Sequence, residues 1–70
     1  MTKIRNERQR TGKSLSAFSR DLGLHYSLAS QIERGDVRAA PKWQAVIAKK
    51  FGISVEKLFD ARGFAREVNE

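Results

Sequence analysis

Apolar residues recur in this chain at intervals of three and four, and glycines interrupt the recurrence at regular distances. That spacing is the period of an α-helix with one face turned inward. Residues 2–11 predict a first helix with Ile4, Arg8 and Thr11 on one stripe, closed by Gly12. Ser14 is placed to cap a second helix over residues 15–22, where Phe18 and Leu22 stand at i, i+4 and Gly23 closes the element. A third helix follows His25 and runs to about Arg34, with Gly35 as its terminator. Asp36 to Pro41 reads as a loop, and Pro41 opens a fourth helix carrying Trp43, Val46, Ile47 and Phe51 before Gly52. Ser54 predicts a cap for a last short helix that packs Leu58. Beyond Gly63 the helical pattern is weak, with only Phe64 and Val68 apolar. No alternating Val/Ile/Thr run of strand length occurs. The expected fold is all-α: a compact five-helix domain over residues 1–60 and a short extension over residues 61–70, either frayed or docked on a partner.

Size bounds what such a fold can do. A chain of 70 residues buries only ~60% of its unfolded surface, so its core must be dense and locally built. It has no cysteine and one histidine, which excludes disulfides and leaves no set of soft ligands for a metal. No cluster of carboxylates at metal spacing and no activated nucleophile suggests an enzyme. Neither a cofactor, a metal nor a small-molecule ligand is expected. The N-terminal residues hold no apolar signal core, and no apolar run approaches the length of a membrane span. A cytoplasmic, nucleoid-associated chain is the expectation.

Charge adds a direction. The formal net charge is +6, and the first twenty residues carry Lys3, Arg5, Arg8, Arg10, Lys13 and Arg20 against Glu7 alone. Such a balance favours a polyanionic partner, although it also lies within the ordinary range for soluble small domains. Arg8 is a separate matter. It sits on the inward stripe of the first helix, where a guanidinium needs a carboxylate or an escape to water.

The third helix carries the chemistry. At ~100° per residue, with Tyr26 at zero, Ser30 falls near 40°, Arg34 near 80°, Ser27 near 100° and Gln31 near 140°. Leu28, Ile32 and Ala29 fall between about 200° and 300°, and Glu33 lies at the border near 340°. One face is therefore polar and free of carboxylates, and the other is predicted to be apolar. Hydroxyls, an amide and a phenol suit the base edges of a DNA major groove, since Gln pairs with adenine and a Tyr ring meets the thymine methyl. A Ser-rich surface helix accounts for the same pattern, and spacing alone does not separate the two.

At these residues a resemblance to a known family enters. The run Ser14-Leu15-Ser16-Ala17-Phe18-Ser19-Arg20-Asp21-Leu22-Gly23-Leu24, followed by Ser30-Gln31-Ile32-Glu33-Arg34-Gly35, resembles the helix-turn-helix of the Cro and phage-repressor (XRE-like) family. The likeness extends through Pro41 and the segment Ile47-Ala48-Lys49-Lys50-Phe51-Gly52-Ile53-Ser54 to Leu58-Phe59. It implies that Tyr26, Ser27, Ser30 and Gln31 contact bases. It also implies that Ser19 is the small residue between two close helices, that Gly23 is the turn, and that Arg8 and Glu33 form a semi-buried salt bridge. Candidate phosphate contacts are Lys13, Arg34, Arg38 and Lys42, with backbone amides at the starts of the second and fourth helices; for each cation a solvated surface charge is an equal alternative. Two positions depart from the family pattern. Leu15 stands where a phosphate-binding Gln is usual, so a clamp is missing or Leu15 packs on DNA or a neighbouring subunit. His25 replaces the usual Ser or Thr cap, and a weak cap, a phosphate contact and a plain surface role all remain open.

The resemblance implies a sequence-specific regulator of transcription that binds double-stranded DNA as a homodimer on a palindromic operator, with half-sites about one helical turn apart. Without a ligand-binding domain, a small repressor of Cro type, a controller protein or a phage or mobile-element switch is expected. The leftover apolar residues from Phe59 to Phe64 and the tail are the expected dimer surface. An antitoxin or protein-interaction module whose tail takes a partner is the alternative. RNA reading is weaker, because single-strand readers interleave exposed aromatics and most aromatics here follow the core pattern.

Overall fold

The structure, a computed structural model, describes residues 1–69; Glu70, the last residue of the expected tail, lies outside the described residues. Five helices follow one another: α1 Lys3–Arg10, α2 Leu15–Leu22, α3 Tyr26–Arg34, α4 Pro41–Phe51 and α5 Val55–Leu58. The fold is all-α.

The first helix is one residue shorter at each end than its pattern predicts, because Thr2 caps it rather than joining it. Its Oγ1 accepts from the Arg5 amide at 3.2 Å and donates to the Glu33 carbonyl at the end of α3. One threonine thus satisfies an orphan donor of α1 and an orphan acceptor of α3. Ser14 caps α2 as expected, accepting from the Ala17 amide at 3.1 Å. Ser54 precedes α5 without a side-chain cap bond.

The core gathers Ile4, Phe18, Leu22, Ile32, Ile47, Leu58 and Phe59 from all five helices and the residue just after the last. The Phe18 ring stacks on Phe51, with centroids 5.4 Å apart. Each such side chain, fully buried, contributes about 1.5–3 kcal/mol. Trp43 packs partly buried against this core, as expected of it. Leu15 does the same, so its outward-facing alternatives are not needed.

Residues 59–69 correct the picture of a frayed or weakly helical tail. Asp60 and Gly63 form a tight turn: the Gly63 amide donates to the Asp60 carbonyl at 3.0 Å, and Asp60 Oδ1 accepts from the amides of Arg62 and Phe64. The chain then runs back extended. Arg66 N–H donates to the Leu58 carbonyl, Lys3 N–H to the Arg66 carbonyl and Val68 N–H to the Met1 carbonyl, all within 2.8–2.9 Å. Two isolated antiparallel bridges, Thr2 with Glu67 and Phe59 with Ala65, result. The position of Gly63 admits no other residue without strain. Its φ is +91°, and a Cβ there would lie 2.8 Å from Gln44 Nε2 and 3.0 Å from the Ala39 carbonyl oxygen. Phe59, expected on a dimer surface, is instead 1% exposed inside the core.

Candidate nucleic-acid interface

The site is built by α2, a three-residue turn and α3. Gly23 ends α2 in the left-handed conformation, φ +73°, and its amide and that of Leu24 return to carbonyls of the last turn of α2. Ser19 is buried on α2, with its hydroxyl satisfied by the Ser16 carbonyl at 2.9 Å. A small side chain there lets α2 lie close to α3.

Packing holds α3 by Ala29, Ile32 and Glu33, which are all buried. The buried arc is therefore centred near 290–300°, further round than the apolar residues alone predict. Leu28, expected inside, is displaced to the rim and is 36% exposed. The displacement follows from Glu33. Its carboxylate is 3% exposed and is held by Arg8, with Nε 2.5 Å from Oε1. Arg8 also donates through Nη1 to the Lys13 carbonyl at 2.8 Å. The Arg8–Glu33 pair resolves the inward arginine of α1, and it accompanies an α3 orientation in which the acid at the border of the apolar face is covered. Such a pair, once broken from one side, costs about 3–5 kcal/mol.

Outward, α3 presents Tyr26, Ser27, Leu28, Gln31 and Arg34, with Tyr26 54% exposed. Ser30 is half-buried beside them. Among the described residues no hydrogen bond engages the side chains of Tyr26, Ser27, Ser30 or Gln31, and no carboxylate of α3 shares their face. His25 lies exposed before the helix and makes no cap bond.

The four cations expected at phosphates divide into two kinds. Lys13 is hydrogen-bonded to Asp21, and that ammonium is the main reason the Asp21 carboxyl sits below its ordinary 3.8, against an opposing effect of burial. Arg34 pairs with Asp36 at 3.1 Å. Arg38 and Lys42 are exposed and meet no carboxylate among the described residues; the Lys42 ammonium lies 5.2 Å from the centre of the Trp43 ring. Both stand between the end of α3 and the first turn of α4.

Sequence reasoning missed Leu28 and Thr2. The border position of Glu33 held the signal for Leu28, since pairing Glu33 with Arg8 pulls the buried arc toward it. No helix is long and apolar enough to cross a membrane, and no group of acidic and histidine residues could hold a metal, among the described residues. Set against protein-family models, curated proteins and solved structures, the chain matches none of them.

Proposed function

We propose that this chain is a sequence-specific double-stranded-DNA-binding regulator of transcription, of the small-repressor kind, that lays α3 in the major groove. The observation that carries the proposal is the outward face of α3. It is rich in uncharged donors and acceptors and holds no acid, and the side chains of Tyr26, Ser27, Ser30 and Gln31 are left unengaged, whereas no buried side-chain nitrogen or oxygen lacks a partner among the described residues.

The dimensions agree. Nine residues give a helix roughly 13 Å long and 10–12 Å across, which matches a groove about 12 Å wide. At about 3.4 Å per base pair it covers about four pairs. Four pairs recur too often to define a site, so a second copy on a symmetric half-site supplies the missing discrimination. Arg38 and Lys42 supply sequence-independent attraction to the backbone beside the reading helix. Repression then needs only occupancy, because a protein on an operator excludes polymerase. The alternative, a module whose tail takes a protein partner, rests on a tail awaiting one; residues 60–69 already pair with α1, α5 and the loop before α4.

Selection of duplexes from a random pool, followed by footprinting, tests this. A two-fold symmetric consensus protected over about two helical turns is expected. Equal retention of every duplex would defeat the proposal.

A further inference from the structure

Leu28 is only partly used by the fold. It is 36% exposed, it is absent from the buried cluster and from the hydrophobics packed against it, and it lies on the rim of the outward face of α3. It stands between the exposed polar residues Ser27 and Gln31 and the buried Ile32, so part of a branched apolar side chain is left open beside the polar face. Met1 and Val68, also exposed, lie on the paired chain ends rather than on this helix, so Leu28 is not part of a contiguous apolar patch with them on α3. The question is what an isolated branched apolar side chain meets when its helix enters a major groove.

The major groove offers one apolar feature that carries sequence information, the C5 methyl of thymine. We infer that Leu28 reads a thymine methyl, and so makes this chain prefer thymine over cytosine or an unmethylated pyrimidine at one position of each half-site. The inference rests on the DNA-reading role of α3 proposed above, and adds to it an apolar contact that the polar face alone does not supply.

Geometry also fixes where that thymine lies. Leu28 and Gln31 are three residues apart on one helix, so their Cβ atoms are about 5–6 Å apart. Base pairs are stacked at about 3.4 Å. The methyl read by Leu28 is therefore within one or two base-pair steps of the pair read by Gln31, for which adenine is the natural partner of a side-chain amide. Tyr26, the other exposed side chain able to touch a methyl, stands at the first turn of α3, about 160° away from Leu28 around the axis.

The test replaces each thymine of the selected duplex in turn by deoxyuridine, which removes only the methyl group, and measures Kd for the full chain. Loss of one buried methyl predicts about four-fold weaker binding per half-site, which corresponds to about 0.8 kcal/mol at 1.4 kcal/mol per tenfold. The sensitive thymine must lie within two steps of the pair whose preference Gln31→Ala abolishes. In Leu28→Ala the same replacement must have no effect. Leu28 is not in the core and alanine is the best helix former, so this variant keeps its fold, which a thermal melt verifies. In Tyr26→Ala, which removes the other ring able to touch a methyl, the sensitivity must persist. A sharp footprint with a flat deoxyuridine scan overturns the inference and leaves the DNA-reading proposal standing. So does a methyl effect that survives Leu28→Ala. A chain that retains every duplex alike overturns both.

Discussion

The outward face of α3 and the returning segment 59–69 both lie at the outside of a small domain, the first largely exposed and the second partly buried, and they handle their polar groups in opposite ways. In residues 59–69 backbone bonds at Phe59, Gly63, Arg66 and Val68 tie the segment to α5, to the loop before α4 and to the N-terminus. Asp60 accepts two amides with one oxygen, and these bonds, Phe64 foremost, hold its carboxyl below the ordinary 3.8. On α3, Tyr26, Ser27 and Gln31 have no partner within the described chain. The difference separates groups the fold consumes from groups it leaves for something else. Substitutions in the first class are expected to move stability, and those in the second to move affinity with stability intact.

Glu33→Gln gives the largest expected effect. It belongs to α3 but to its consumed side, and the change leaves the Arg8 guanidinium facing a neutral amide in a covered position. A loss of about 3 kcal/mol in urea unfolding is expected. Gly63→Ala follows, at about 2 kcal/mol, from a left-handed backbone and a Cβ pressed against Gln44 and Ala39. Gln31→Ala reverses the readout: unfolding stays within about 0.5 kcal/mol of the parent, while preference at one base pair falls by about 1–3 kcal/mol in competition binding. The smallest effects separate the cations. Arg38→Ala and Lys42→Ala should each weaken all duplexes alike and lower the salt slope by about one. Lys13→Ala should change it less, because Asp21 already neutralises that ammonium. Equal slopes for all three variants would erase the distinction between paired and unpaired cations.

The residues reveal the helical body well and the chain ends poorly, for a physical reason. Helices α2 to α4 announce themselves through local signals: Ser14 as cap, Pro41 at the first turn, Gly23, Gly35 and Gly52 past the last. Residues 59–69 lack helical periodicity because several of their bonds are with Met1, Lys3 and Ala39, far along the chain, and no local pattern encodes a bridge between Thr2 and Glu67. One local cue was present. Asp60 and Gly63 stand at the first and fourth positions of a tight turn, where those residue types are favoured. At the site, the polar face of α3 could be read from azimuth alone, whereas the exposure of Leu28 is legible only when the border azimuth of Glu33 is combined with its pairing to Arg8. Apolarity alone assigns leucine inward, and only the Arg8–Glu33 bond shifts the arc.

Amide chemical shifts of the full chain, recorded as the selected duplex is titrated in, discriminate between the two regions in one spectrum. The largest shifts are expected on Tyr26 to Gln31, with smaller ones at Arg38 and Lys42 and little change over residues 59–69. Shifts concentrated in residues 59–69, with α3 silent, would contradict the DNA-reading role of α3.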